Sequence, residues 1–393
     1  MTSISDRVRL WWERSEPLPP GLYQYKAPVD APLHYRMHLR LEPDGSGVLL
    51  VNAQTVLHVN QTAAEYAYHL IQQTPPEEAA AQVARRYRGV SKRQAQLDYQ
   101  DFVERVETLF LIPDLDPVMY LGFEREDPYA GHISAPYRLD CALTYHYAPD
   151  AEPEEELVHR AAEELDTAEW KRILDKAWNA GIPHIIFTGG EPTLRDDLVE
   201  LLQHAEDTGL VTGLITNGRR LADSDYLDSL VLAGLDHVVI VLQPSEEQTW
   251  ESLSSFLYWY KVLEADLHIT AHLTITSNNA GMIKDLLARL AESGVHAVSL
   301  SVNSTELTGR LEEARNLAAE QGLTLDWDIP VPYSDLNPVA LETQEEQPPN
   351  GAGRAWMYIE PDGDILPSQG INRVLGNFLR DSWEKIQKNA NLA

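Results

Sequence analysis

The chain has 393 residues, 44% of them hydrophobic, and a formal net charge of −30. Its length and apolar content predict more than one hydrophobic core. Because the charge is strongly negative and Lys and Arg form no local cluster, no nucleic-acid partner is expected. With no apolar run of membrane length and no apolar N-terminal stretch, no membrane partner is expected either, and the predicted compartment is the cytoplasm.

Residues 1–32 are predicted to form an irregular N-terminal arm, because several prolines interrupt them and no periodicity is sustained. From residue 33 to residue 41 apolar and polar side chains alternate, which predicts a half-buried strand with one cationic face. Two further strands are predicted at 47–52 and 55–59, after a turn at Asp44. These strands predict a small antiparallel sheet.

Three helices are predicted to follow the sheet, each starting at a capping-box pattern. The hydroxyl residues of these patterns are Thr62, Thr74 and Ser91, each with Glu or Gln three positions later. Apolar residues at helical spacing follow every start. The predicted domain therefore covers residues 33–113 and has an α+β, winged-helix-like order.

This order, with the phrase Leu57-His-Val-Asn-Gln-Thr-Ala-Ala-Glu-Tyr66, resembles the PqqD-like domains that hold the leader of a precursor peptide for modifying enzymes. The resemblance implies that a peptide adds a strand to the sheet edge and packs against the third helix. Arg36 and Arg40 are the candidate peptide-binding residues on the cationic face. A solvated face of a structural domain is the alternative for these two arginines.

Residues 114–136 are predicted to be a connector, and residues 137–340 alternate strands with amphipathic helices, as a parallel sheet requires. Right-handed crossovers would curl six such units into an α/β partial (β/α)6 barrel. The predicted strands cover 138–145, 185–189, 211–216, 238–242, 269–276 and 297–302. Ligands of such folds lie at the carboxyl ends of the strands, so the loops there are the candidate site.

The run from His184 to Leu194, with its Thr-Gly-Gly-Glu-Pro-Thr sequence, resembles the radical S-adenosylmethionine (SAM) family. In that family Gly189, Gly190 and Glu191 would contact the amino group of SAM. Asn279, after the fifth strand, is a further candidate for cofactor binding. The alternative for the glycines is a tight strand-to-helix turn.

The first barrel loop departs from the family, which carries three cluster-binding cysteines there. The matching positions hold Tyr147, Ala151 and Glu154, and the lone cysteine, Cys141, is predicted to be a core residue of the strand before them. No metal ligand set is therefore predicted. The resemblance leaves SAM binding open, and a 4Fe-4S cluster is not expected.

The runs from Trp356 to Gly370 and from Leu375 to Phe378 resemble the tail of many peptide-modifying radical SAM enzymes. Residues 341–393 are therefore predicted to form a truncated SPASM-like tail. A hairpin is predicted at Asp362-Gly363. Ser368 stands where the family usually has a cysteine, so no auxiliary cluster is expected.

The leading prediction for function is a degenerate, non-catalytic scaffold or regulator that binds a precursor peptide or an active radical SAM paralogue. The alternative is an enzyme that uses the barrel mouth for SAM binding or for cluster-independent acid-base chemistry. Its catalytic candidates are Glu191, His146 and Glu154. Acidic residues from Asp150 to Glu156 also suit a hard cation. A relic without a selected function is the third possibility.

Overall fold

The computed structural model describes residues 18–28, 31, 35–52, 55–111, 134–147, 163–264, 267–325 and 351–390. The chain divides into two compact units, Met1–Ser134 and Ala135–Ala393. Within the described residues no helix is both long and apolar enough to cross a membrane.

The first unit contains a four-stranded antiparallel sheet in which the strands neighbour one another in chain order. Its strands are β1 (Gly21–Lys26), β2 (Arg36–Leu41), β3 (Gly47–Val51) and β4 (Thr55–Val59). The strand β1 lies inside the segment that sequence analysis assigned to an irregular arm. This stretch contains no proline, and its Tyr23 and Tyr25 pack against the core of the sheet, which favours the extended conformation.

Three helices follow the sheet: α1 (Gln61–Ile71), α2 (Pro76–Arg86) and α3 (Lys92–Leu111). The cap of α1 is Asn60, whose side chain accepts a hydrogen bond from the Ala63 N–H, so the helix begins before the predicted cap, Thr62. The prediction for α3 is confirmed, because the Ser91 hydroxyl accepts from the Gln94 N–H at 3.1 Å. Helices α1 and α3 cover one face of the sheet with a shared apolar core.

The face of the sheet that carries Arg36 and Arg40 is also buried, which corrects the prediction of a half-exposed cationic strand. The two arginines are only 5% and 3% exposed. Arg40 donates through Nε to Glu42 at 3.0 Å. Alternation along a strand predicts two different faces, but it does not decide whether the polar face meets solvent.

The second unit contains the predicted alternation of strands and helices. Its strands are β5 (Arg138–Thr144), β6 (His184–Gly189), β7 (Val211–Thr216), β8 (His237–Val241), β9 (His268–Ile275), β10 (Ala297–Val302), β11 (Thr324–Leu325), β12 (Trp356–Ile359), β13 (Asp364–Leu366) and β14 (Gly376–Asn377). Its helices are α4 (Thr167–Asn179), α5 (Leu198–Thr208), α6 (Ser224–Leu232), α7 (Glu247–Val262), α8 (Ile283–Ser293), α9 (Thr308–Glu320) and α10 (Trp383–Ala390).

The strands of this unit form one sheet in the order β11-β10-β9-β8-β7-β6-β5-β12-β13-β14. Strands β5 to β10 pair in parallel with their chain neighbours. The six-unit α/β partial barrel predicted from the sequence is therefore confirmed. Alternate side chains of these strands pack with the helices in one large apolar core, and Cys141 is one of its fully buried members.

The C-terminal segment extends the same sheet. Strand β12 runs parallel to β5, and β12, β13 and β14 then pair antiparallel in sequence. The predicted Asp362-Gly363 turn joins β12 to β13, and Gly363 has a φ of 86°, which favours glycine. Ser368 is buried just after β13.

Candidate functional site

The candidate site is built where β5 and β6 end, because two loops pack closely there. The Gly190 N–H donates to the Thr144 carbonyl at 2.8 Å, and the Glu191 N–H donates to the His146 carbonyl at 2.7 Å. The loop with the Gly-Gly-Glu sequence is thus tied to the first residues of the loop after β5. The side chain of His146 is exposed beside this junction.

Gly189 and Gly190 are required by this junction. Gly189 has a φ of 122°, and a Cβ on it would collide with the Thr144 carbonyl oxygen. A Cβ on Gly190 would collide with the carbonyl oxygen of His146. The space beside both glycines is filled by backbone of the neighbouring loop, so their first role is close packing.

Glu191 is a buried carboxylate that joins the ends of β6 and β7. Its Oε1 accepts from the Thr193 hydroxyl at 2.6 Å, the Thr193 N–H at 3.1 Å and the Thr216 hydroxyl at 2.7 Å. Its Oε2 accepts from the Asn217 N–H at 2.8 Å. Burial raises the pKa of the Glu191 carboxyl, and the hydrogen bonds from Asn217, Thr193 and Thr216 oppose that rise.

The donors of Glu191 leave Oε2 with unused acceptor capacity, because a carboxylate oxygen accepts about two hydrogen bonds. An ammonium group suits that position, as it brings charge and N–H donors together. Sequence analysis gave no role to Thr216 or Asn217. Their place at the end of the strand predicted at 211–216 was the available signal.

A second network fixes the ends of the loop that follows β5. Glu164 accepts from the Thr144 hydroxyl at 2.7 Å, and Arg195 donates to the carbonyls of Leu143 and Leu165, both at 3.1 Å. Arg195 follows the Gly-Gly-Glu loop directly in the chain. Sequence analysis did not single out Glu164 or Arg195, because their partners come from separate segments.

Asn279 lies in the turn after β9, and its side chain forms hydrogen bonds with the backbone of that turn. Its Nδ2 donates to the Thr274 carbonyl at 2.9 Å, and its Oδ1 accepts from the Thr276 N–H at 2.8 Å. Both polar atoms of the side chain thus bond to the backbone of its own turn. The structure therefore gives Asn279 a turn-stabilising role and does not bring it to Glu191.

Of the three cluster-aligned positions only Tyr147 lies in the described residues, while Ala151 and Glu154 lie outside them, as do the acidic residues from Asp150 to Glu156. Tyr147 packs against the buried cluster of Ala142, Tyr145, Tyr358 and Leu366. The Tyr145 hydroxyl donates to Glu360 at 2.8 Å in the same region. The position aligned with the first cysteine of the family is thus held by a tyrosine that packs on this cluster.

A group of four polar side chains, which we name the hydroxyl cluster, was missed by sequence analysis. It consists of His272 and Thr274 on β9 with Ser299 and Ser301 on β10. The four alternate with apolar residues of the core, such as Leu273 and Val298. Polar positions at period two in both predicted strands were the available signal.

The first unit holds a separate cavity of about 300 Å³ next to β4. Its apolar lining comes from the sheet, α1 and α3, and its rim carries Asp98, Asp101 and Arg105 from α3. Strand β4 ends the described sheet on this side, so the cavity adjoins a sheet edge. The apolar lining consists of Leu49, Leu57, Val59, Ala63, Tyr66, Phe102 and Val106.

Comparison with known families identifies the second unit. Residues 141–265 match the sequence model of the radical SAM superfamily. This stretch is similar in sequence to radical SAM domains. The matched residues begin in β5 and include the Gly-Gly-Glu loop, Thr216 and Asn217, so the superfamily named in the sequence analysis is confirmed.

Two curated relatives of this chain have the same name. The chain is 29% identical to the PqqA peptide cyclase of Bradyrhizobium diazoefficiens over 60% of this chain and 65% of that protein. It is 30% identical to the PqqA peptide cyclase of Methylobacterium sp. (strain 4-46) over 56% of this chain and 62% of that protein. The chain thus spans just under two thirds of the length of these relatives.

Solved structures confirm the fold. Streptococcus suis SuiB bound to its precursor peptide SuiA has a TM-score of 0.56 and 17% identity, over 88% of this chain and 85% of that one. SuiB bound to S-adenosylmethionine has a TM-score of 0.53 and 16% identity over the same shares of the two chains. These likenesses extend over both units and concern the fold alone.

Two predictions are corrected by these comparisons. The prediction of a non-catalytic scaffold is contradicted, since the curated relatives of this chain are named as peptide cyclases, which are enzymes. The prediction that no cluster belongs here is also contradicted, because the radical SAM family implies a 4Fe-4S cluster together with SAM.

The residues of this chain do not themselves fit a cluster site. A radical SAM cluster needs three thiolates, and the sequence contains one cysteine. Cys141 is fully buried in β5, and burial raises the pKa of its thiol well above the usual range. Tyr147 fills the first aligned position, so the chain does not supply the thiolates that would hold a cluster.

Proposed function

We propose that this protein is an enzyme that binds SAM at the Glu191 site and acts on a peptide held by its first unit. The observation that carries the proposal is Glu191, a buried carboxylate at the carboxyl ends of parallel strands with one acceptor position left. Ligands of parallel α/β folds bind at this end of the sheet. The position matches the loop that holds SAM in the radical SAM family.

For SAM, the residues that would hold the amino group are Glu191 and the loop fixed by Thr216 and Asn217. Bound SAM supplies a sulfonium whose carbon–sulfur bonds are reactive. Four hydrogen bonds fix the direction of the Glu191 carboxyl group, so it is suited to orient a cation rather than to exchange a proton. The acid-base role predicted for Glu191 is therefore not proposed.

For the peptide, the proposed site is the cavity between β4 and α3 in the first unit. An extended peptide would add to the β4 edge and place an apolar side chain in the cavity. The rim carries two carboxylates and one arginine, and Arg105 already pairs with Asp101 at 2.9 Å. Asp98 therefore favours a basic residue beside the apolar anchor, in agreement with the net charge of −30.

This assignment makes the first unit a PqqD-like domain and the extension from β12 to α10 a SPASM-like tail, both as proposals. The cavity between β4 and α3 replaces Arg36 and Arg40 as the proposed peptide-binding site, because both arginine side chains are buried. The support is the adjacency of an apolar cavity and a sheet edge within one unit.

The experiment is a calorimetric titration of the full chain with SAM. We expect saturable binding that weakens about 10- to 100-fold in Glu191→Gln, because one charge-assisted hydrogen bond to the ligand is lost. The larger change Glu191→Ala should abolish binding. Thermal unfolding of each variant without ligand shows whether the protein remains folded.

The control is Glu200→Gln on α5, whose exposed carboxylate pairs with Lys171 at 2.6 Å. This variant should bind SAM as the unchanged chain does. If the unchanged chain gives no saturable heat, or if Glu191→Gln binds equally well, the proposed SAM site is rejected.

A further inference from the structure

The hydroxyl cluster lies on the face of β9 and β10 that turns away from the helices. His272 is opposite Ser299 and Thr274 is opposite Ser301 in the parallel register. Neighbouring residues of the two strands, such as Leu273 and Val298, point to the helix-packed core. Four polar side chains thus form a square on the inner face of the barrel sheet.

Hydrogen bonds within this square involve both nitrogens of the imidazole. His272 Nδ1 lies 3.1 Å from the Ser299 hydroxyl, and Nε2 lies 3.1 Å from Ser301 and 3.3 Å from Thr274. The hydroxyls of Thr274 and Ser301 are 3.1 Å apart. The cluster is partly open to its surroundings through Ser301, whereas His272 is buried.

The cluster contains no charged group at neutral pH. Burial lowers the pKa of His272 to about 4, so its ring is neutral there. Within the described part of the chain, no carboxylate or cation is hydrogen-bonded to any of its four side chains. A full charge brought into this square would therefore meet no opposite charge.

One proton of the cluster finds no acceptor among the four contacts that join its side chains. A neutral imidazole donates at one nitrogen and accepts at the other, and each hydroxyl brings one proton. If Nδ1 carries the proton, the Ser299 hydroxyl proton has no acceptor within the cluster. If Nε2 carries it, Ser299 donates to Nδ1, and either Thr274 or Ser301 keeps a proton without an acceptor. Both tautomers leave one hydroxyl donor over.

We infer that the hydroxyl cluster is a binding subsite for an uncharged oxygen acceptor, namely an amide carbonyl of the peptide on which the enzyme acts. The spare hydroxyl donates to that carbonyl, and the imidazole shifts its tautomer so that the donor faces the ligand. That the amide belongs to a peptide rests on the proposed function. The preference for an uncharged acceptor rests on the cluster alone.

The experiment follows the histidine rings of the full chain, labelled with 15N, by nuclear magnetic resonance during titration with N-methylacetamide. The His272 signals are identified by their loss in His272→Gln. We expect a saturable shift of both His272 nitrogens, and a 2- to 10-fold weaker affinity, roughly one hydrogen bond, in Ser301→Ala. Acetate, which is slightly smaller and carries a charge, should shift them much less.

A matched control is Ser229→Ala on α6, where a partly buried hydroxyl donates to the Tyr226 carbonyl. It should leave the His272 response unchanged. An unresponsive His272, an equal response to acetate, or an equal response in Ser301→Ala overturns the inference. Because the probe is neither SAM nor a precursor peptide, such a failure leaves the test of the Glu191 site unaffected.

Discussion

Glu191 illustrates how a single side chain in this protein depends on partners from a neighbouring strand. A buried carboxylate is stable only if hydrogen bonds replace its hydration. Two of its donors belong to a different strand from its own: Thr216 is the last residue of β7, and Asn217 follows it. The Gly-Gly-Glu motif indicated Glu191 from the sequence, whereas its donors depended on β6 and β7 lying side by side.

His272 is the residue for which a pH dependence follows. Its pKa is about 4 in the folded chain because of burial, against about 6.5 when unfolded. Between these two values the unfolded chain binds the proton and the folded chain does not. The contribution of His272 to the free energy of unfolding is therefore fully present above about pH 6.5. It decreases by about 3 kcal/mol as the pH drops towards 4.

The measurement is urea unfolding of the unchanged chain and of His272→Gln across this pH range. Over this pH range the free energy of unfolding of the unchanged chain should decrease by about 3 kcal/mol more than that of the variant, because glutamine does not titrate. His204→Gln, on the surface of α5 beside Asp175, serves as the comparison. Parallel pH curves for the unchanged chain and His272→Gln would contradict this account.

The loops after β5 and β6 form an element whose close packing the glycines permit. Since Gly190 has no Cβ, the His146 carbonyl can approach its Cα and accept the Glu191 N–H at 2.7 Å. Side chains on this loop would force the two segments apart. The glycines therefore determine where Glu191 lies relative to the loop that follows β5.

Gly190→Ala should destabilise the protein by about 1–3 kcal/mol, because its methyl group overlaps the His146 carbonyl. The control is Gly309→Ala in α9, where a Cβ would meet nothing within 4 Å. That change should be neutral or stabilising by about 0.5–1 kcal/mol, since alanine favours a helix. Chemical unfolding of both variants checks this, and equal stabilities would argue against the packing role.

At the scale of the whole molecule the net charge of −30 favours cationic partners and salt-dependent association. The proposed peptide site has this character locally. Asp98 and Asp101 are exposed on α3 beside the cavity. A peptide with lysines around an apolar anchor should therefore bind, and added salt should weaken the complex.

The expected result is tighter binding of acetyl-Lys-Leu-Leu-Lys-amide than of acetyl-Glu-Leu-Leu-Glu-amide, measured by calorimetry at low and high NaCl. Asp98→Asn should weaken the binding of the lysine peptide by up to about 5-fold, which is the change in affinity that corresponds to one exposed ion pair. Asp207→Asn is matched to it, because each aspartate accepts from a glutamine four residues earlier on its helix, at 2.7 and 2.9 Å. If both variants behave alike, the peptide does not bind at this cavity.

The sequence alone determined the order of elements in the second unit. The predicted strands at 211–216 and 297–302 coincide with β7 and β10, because long alternations of apolar strands and amphipathic helices leave little ambiguity. It also located the Gly-Gly-Glu loop correctly at the end of β6. Local patterns sufficed for these features, since each depends on residues close together in the chain.

Only the tertiary structure decided which side chains meet and which are covered. It buried Arg36 and Arg40, added β1 to the first sheet, and brought His272 against Ser299. The reason is that burial and hydrogen bonding between strands depend on segments far apart in the chain, and periodicity within one segment carries no information about its neighbours.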